Sequence, residues 1–289
     1  MPVCSAAPCL RSRTRSGRRH WGNYMLRAAR PMVGLVGLML MLMGLTVPQA
    51  AADPLRGTDP KTAVAQHDEA VYVVQEREDG TVYTAIYEPA AGVTPDELRA
   101  SLRRQGIRGV QDAEPTATAG LGTLGCSPIV GTASALCGAK WSYGAYNDPQ
   151  VYFLDHTSDS WPVSDAQVDW YQAPGIDAYY RWYTAGCPSG RHCVHTYSGS
   201  YGTDWYGQTS YTTSGGYFVD GSVVVRLNDQ VTPNTYAARR SVACHEMGHA
   251  LGLDHNGSTN SCMSVPEFPQ HPSSQDFSVL NLLYPKAGT

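Results

Sequence analysis

The chain has no apolar run suited to spanning a bilayer. The stretch MVGLVGLMLMLMGLTV, from Met32 to Val47, ends at Pro48 and is too short to cross comfortably. The first 52 residues hold seven arginines and not one acidic residue. Lysine is scarce throughout, three against eighteen arginines, which speaks of codon usage rather than function. No cysteine lies between Asp53 and Gly120, and no internal repeat is visible. The polar, tyrosine-rich middle (Tyr197–Tyr217) reads as strand and loop, not as a low-complexity tail.

Each absence narrows the reading. A basic lead, a short apolar run and Ala50-Ala51-Ala52 after it are the parts of a secretory signal peptide, which argues against an uncleaved anchor. Cleavage is expected after Ala52, and Met25 offers an alternative start with a more compact basic region. The pair Arg18-Arg19 fits a twin-arginine signal poorly. Removing residues 1–52 leaves 14 basic and 25 acidic residues, a net charge of −11. Such a chain is a poor partner for nucleic acid or an anionic membrane, so contact with a membrane is expected only during export. Of eight cysteines, Cys4 and Cys9 leave with the signal, and six remain. An even number in an exported protein points to disulfides. Pairing between sequence neighbours gives Cys126–Cys137, Cys187–Cys193 and Cys244–Cys262.

Residues 53–120 read as a small α+β pro-region. VYVVQE and TVYTAIY are strands joined through an Asp-Gly turn, and TPDELRASLRRQG is a helix capped by Thr94 with proline at its first position. The small, flexible composition of Glu114–Gly125 suggests a linker. Residues 121–289 are enough for one domain. PQVYFLD, CVHTYSG, WYGQTSYTT and SVVVRLND are its expected strands. SDAQVDWYQAPGIDAYYRWY reads as a helix from Ser164, interrupted near Pro174-Gly175. TYAARRSVACHEMGHALGL is the clearest helix, and SSQDFSVLNLLYP is the last one.

Three of nine histidines fall within eleven residues of the clearest helix and the turn after it. His245 and His249, four apart, project from one helical face and can share a metal ion. Gly252 lets the chain turn back so that His255 supplies a third nitrogen. Three protein ligands with an open fourth position are the catalytic arrangement for zinc. Glu246, beside the first histidine, fits a general base. The combined pattern is far more specific than a lone HExxH.

HEMGHALGLDH (His245–His255) resembles the HExxHxxGxxH signature of the metzincin clan of zinc metalloproteases, and Met263 stands where the clan has its Met-turn. SQDFSVLNLLYP resembles the last helix of matrixins, and PQVYFLD is similar more loosely, so the likeness covers most of residues 126–289. It implies an α+β fold: a twisted, mostly parallel sheet with an antiparallel edge strand, an active-site helix, a Met-turn and a C-terminal helix. It also implies a secreted endopeptidase with one zinc ion on His245, His249 and His255, Glu246 as base and Met263 beneath the metal. Matrixins open the last helix with two aspartates; here Gln275 replaces the first and Asp276 is the second. Val265 replaces the tyrosine that astacins and serralysins carry after the methionine. Snapalysin-type proteases are similar but use aspartate as third ligand, where this chain has His255. Matrixins also use calcium, for which no spacing here identifies a site.

The clan binds an extended peptide antiparallel to an exposed edge strand, expected here within Trp205–Thr212, with a pocket wall from Ser264 to Pro272. Matrixin pro-regions block zinc with a cysteine, which residues 53–120 lack, so latency would come from the folded segment covering the cleft. Expected partners are protein or peptide substrates, and the expected state is a monomer. His192, His195 and His156 read as exposed loop residues rather than a second metal site. An inert binding module on the same scaffold, or a hydrolase of cell-wall peptide crosslinks, are the competing functions.

Overall fold

The computed structural model describes residues 70–115, 127–264 and 269–286, all within the second of two compact units, Gly57–Thr289. The expected signal peptide and the cleavage point at Ala52 lie outside the described residues. Among the described residues no helix is long and apolar enough to cross a membrane.

The N-terminal segment is a hairpin and a helix. Strand β1 (Val71–Glu76) pairs antiparallel with β2 (Val82–Pro89), and α1 (Pro95–Arg104) follows. Thr94 and Glu97 form a reciprocal capping box, with Pro95 in the first turn and Arg103 and Arg104 in the last. The helix buries Leu98 and Leu102 against Val71, Val73, Ala85 and Tyr87 of the hairpin, forming a satellite core. Burial of each leucine contributes about 1.5–3 kcal/mol.

The larger part of the chain builds the main sheet. Strands β5 (Gln150–Asp155), β6 (Asp177–Trp182), β7 (His192–Gly199) and β10 (Val224–Asn228) are parallel to their neighbours, and β8 (Trp205–Ser214) runs antiparallel to β10. The order is β1-β2-β8-β10-β7-β5-β6, with β9 (Tyr217–Phe218) also on β8. A small second sheet joins β3 (Ile129–Val130), β4 (Ala133–Ala135) and β11 (Leu253–Asn256).

Two expectations need correction. The second half of SDAQVDWYQAPGIDAYYRWY is not helix: α2 (Val163–Trp170) ends early and DAYYRW is β6. Its aromatic residues suit a pleated surface, and Gly175 (φ +85°) makes the turn, packed so closely on the Tyr284 carbonyl that a Cβ would collide. The second correction concerns β8. Its outer side is not an exposed edge but pairs with β2 from Val82↔Thr213 to Pro89↔Trp205.

Helix α3 (Tyr236–Ala250) is buried from Ala238 onward. That explains its weak amphipathicity, since a helix surrounded by protein has no solvent face to signal. Arg240 reaches Asp169 of α2 at 2.6 Å, while the Trp170 indole donates to the Cys244 carbonyl at 3.0 Å. Its C-terminal end is fastened by Trp141, whose indole donates to the Ala250 carbonyl, and by Tyr284, whose hydroxyl donates to the Leu251 carbonyl. Helix α4 (Ser274–Leu283) carries Tyr284 just beyond it.

Candidate active site

Gly252 ends α3 at φ +100°, and a Cβ there would lie about 3 Å from Leu283, Ala139 and Tyr284. The chain reverses into β11, which brings His255 back toward His245 and His249. Their side chains, together with Glu88 from β2, offer donor atoms that all lie within 4.8 Å of one another, and all four residues are buried. Among the described residues no other group of three or more such side chains is found.

The orientation of the rings tests whether a cation fits. His245 Nδ1 is 2.7 Å from the Cys262 carbonyl and His249 Nδ1 is 2.8 Å from the Leu253 carbonyl. A carbonyl only accepts, so both Nδ1 atoms carry protons and both Nε2 atoms present lone pairs. These two Nε2 atoms face each other at 3.0 Å. Two lone pairs so close repel unless a cation lies between them, so the residues fit a metal ion.

The supports of this cluster run in two directions. Cys244 and Cys262 form a disulfide with Cα atoms 6.0 Å apart, tying the helix before His245 to the turn before Met263. Met263 is buried, and its sulfur presses on α3 at Gly248, where a Cβ would come within 2.2 Å of Sδ. Buried Asp276 accepts from Asn256 Nδ2 (2.8 Å), Ser261 Oγ (2.6 Å) and Ser273 N (2.6 Å), and Ser261 Oγ in turn accepts from Met263 N. Gln275, the departure from the matrixin pattern, accepts from the Thr132 backbone N–H at 3.0 Å.

Glu246 points the other way along the helix, toward β8. Thr209 Oγ1 donates to its Oε2 at 2.6 Å, whereas Oε1 is buried with no hydrogen-bond partner. Gly207 makes the approach possible, because a Cβ there would sit 2.1 Å from Oε1. Burial first, then the charge of Glu88, raises the Glu246 carboxyl well above the usual range. Burial would raise Glu88 too, but the charge of His255 beside it holds it well below. Burial lowers His249 to about 4. His255 moves upward because Glu88 and Asp254 outweigh its burial.

Glu88 was not legible from the sequence, nor were Gly207, Gly248 and Thr209. Glu88 Oε1 lies 3.0 Å from His255 Nε2, 3.4 Å from His245 Nε2 and 3.5 Å from His249 Nε2. Tyr72 of β1 donates to Asp254 Oδ1 at 2.9 Å, and His255 Nδ1 is 3.2 Å from the same oxygen.

Of the three histidines expected in exposed loops, His156 does follow β5 in a loop, half-buried, whereas His192 and His195 lie in β7. His192 is buried in β7, bonded to Asp220 (2.6 Å) and the Ser142 carbonyl, and stacked on Trp141. His195, also in β7, meets His156 at 3.0 Å between the rings of Tyr183 and Tyr197. Cys187 and Cys193 are bonded to each other. Cys126 of the remaining pair lies outside the described residues, as do residues 265–268 of the expected pocket wall, Val265 among them.

Residues 151–281 match the family model described as Peptidase M10, matrixin. No curated protein matches the chain. The match spans α2, α3 and β6 through β11, and the family is one of zinc metallopeptidases. The chain thus carries a matrixin-like metzincin metalloprotease domain on an α+β fold.

Proposed function

We propose that the protein is a secreted zinc endopeptidase in which His245, His249 and His255 hold the ion and Glu246 is the general base. The observation that carries this reading is the convergence of three imidazoles, two of them anchored through Nδ1 so that their Nε2 lone pairs meet. When bound, zinc supplies Lewis acidity toward the scissile carbonyl and lowers the pKa of water to roughly 7. The chain's own residues do the rest. Glu246 Oε1, free of any hydrogen bond, takes the proton from the attacking water and later gives it to the departing amine. Thr209 fixes the other oxygen, so the carboxylate cannot swing away. Met263 and Asp276 keep His245 and His255 in register from below. The two disulfides with both cysteines among the described residues support an oxidising, extracellular setting. Residues 53–120 are proposed to be a pro-region that is removed.

Glu246→Gln should keep one zinc per chain while kcat on a quenched peptide falls by about 10²–10⁴. Near-normal turnover in that variant would overturn the mechanism. A competing reading has one observation behind it: Glu88 completes four protein donors, the closed set of a structural zinc site. The origin of Glu88 bears on that choice.

A further inference from the structure

Glu88 reaches the histidines from the N-terminal segment, outside the matrixin match, and the strand that delivers it lies where an extended peptide would add to the sheet. Strand β2 runs antiparallel along β8 from Thr213 to Trp205, so its backbone makes the ladder that a bound peptide would make. Where the ladder reaches Gly207, opposite Glu246, the β2 side chain is Glu88. Its carboxylate oxygen sits between the three Nε2 atoms, 3.0–3.5 Å from each. A substrate and β2 cannot both occupy β8, and a water poised for attack cannot share the position of Glu88 Oε1.

We propose that residues 70–115 are a displaceable plug: β2 lies on β8 as a substrate would, and Glu88 takes the fourth position on the metal, keeping the site shut until the segment leaves. This rests on the zinc-peptidase reading. It assigns to a carboxylate the block that matrixin pro-regions give to a thiolate, in a segment whose described residues contain no cysteine.

Two further observations favour release over a permanent fourth ligand. The hairpin and α1 have their own satellite core and would depart as a unit, giving up the contact with Trp205 and the burial of Ala70, Tyr72, Ile86 and Ala90 in the main core. The β2–β8 pairing shifts register between Glu88 and Pro89, so the ladder is irregular where the plug meets the site.

The test uses the full chain carrying Glu246→Gln to prevent self-cleavage, loaded with Co²⁺ in place of zinc and titrated with acetohydroxamate. The visible spectrum of Co²⁺ reports its coordination without any need for activity. With Glu88 present the spectrum should resist the hydroxamate. With Glu88→Gln, which keeps the shape, or Glu88→Ala, which removes the group, hydroxamate should bind at least about tenfold more tightly. Equal hydroxamate binding in all three chains would overturn the plug and leave the metal site standing. Failure of every chain to show Co²⁺ on nitrogen ligands would overturn the zinc reading and the plug with it. Thermal melts of the three chains separate a lost ligand from a lost fold, and Glu88→Gln, with its volume unchanged, decides if Glu88→Ala unfolds.

Discussion

Gly207 separates the geometry of the base from that of the metal, and Gly207→Ala tests both. The added Cβ would fall 2.1 Å from Glu246 Oε1, 2.6 Å from its Cδ and 2.7 Å from its Cγ. Ordinary contact needs a little over 3 Å, so the carboxylate must retreat by about 1 Å, or β8 must shift. The atom in the way ends a flexible side chain, so the fold should lose no more than about 1–3 kcal/mol, the usual range for overpacking. Catalysis has less room. Oε2 is held by Thr209 at 2.6 Å, so retreat of Oε1 strains that bond and misplaces the proton acceptor. A misplacement of about 1 Å costs on the order of 10²-fold in rate, or about 2.7 kcal/mol of barrier. The assay is kcat on a quenched peptide with plug-free enzyme, beside zinc content and a thermal melt. The expected outcome is one zinc per chain, a modest drop in Tm and kcat lower by about a hundredfold. A kcat within about twofold of the parent, at full zinc content, would refute the role given to Glu246 Oε1.

Replacing Cys244 and Cys262 with serine opens an 18-residue separation and should cost about 3 kcal/mol, read as a lower Tm under non-reducing conditions that keep Cys187–Cys193 closed. Asp276→Ala leaves the donors of Asn256, Ser261 and Ser273 without their acceptor; at about 1–3 kcal/mol for each buried group, zinc affinity and Tm should fall together. Leu98→Ala should cost about 2–5 kcal/mol confined to the satellite core, so in zinc-loaded full chain peptidase activity should rise while α3 stays protected from hydrogen exchange. Loss of protection in α3 with no gain of activity would contradict that localisation.

The parts legible in the sequence are those written at short range. His245, His249 and Gly252 follow from helical spacing and a turn, and α1 is announced by its capping box. Strand β8 was readable as a strand, but its pairing partner was not, because nothing in WYGQTSYTT indicates that residues 82–89 lie against it. Glu88 is more than 150 residues from the histidines it meets, and a glutamate ending a strand carries no local mark. Gly207 and Gly248 look like ordinary glycines until the side chains opposite them, Glu246 and Met263, are in place. The strands β3, β4, β9 and β11 have two to four residues each, too few for an alternation to show. Tertiary pairing, rather than propensity, makes them strands.

Trp205 is a residue of β8, yet its buried ring belongs to the satellite core, edge-on to Tyr87 at 5.6 Å and stacked on Tyr201 at 5.3 Å. Departure of residues 70–115 therefore strips one face of this indole and bathes it in water. Trp141 and Trp170 keep their buried, hydrogen-bonded positions beneath α3. The chain consequently carries its own optical gauge: a red shift in tryptophan emission should track the opening of the cleft in real time, without label, substrate or turnover.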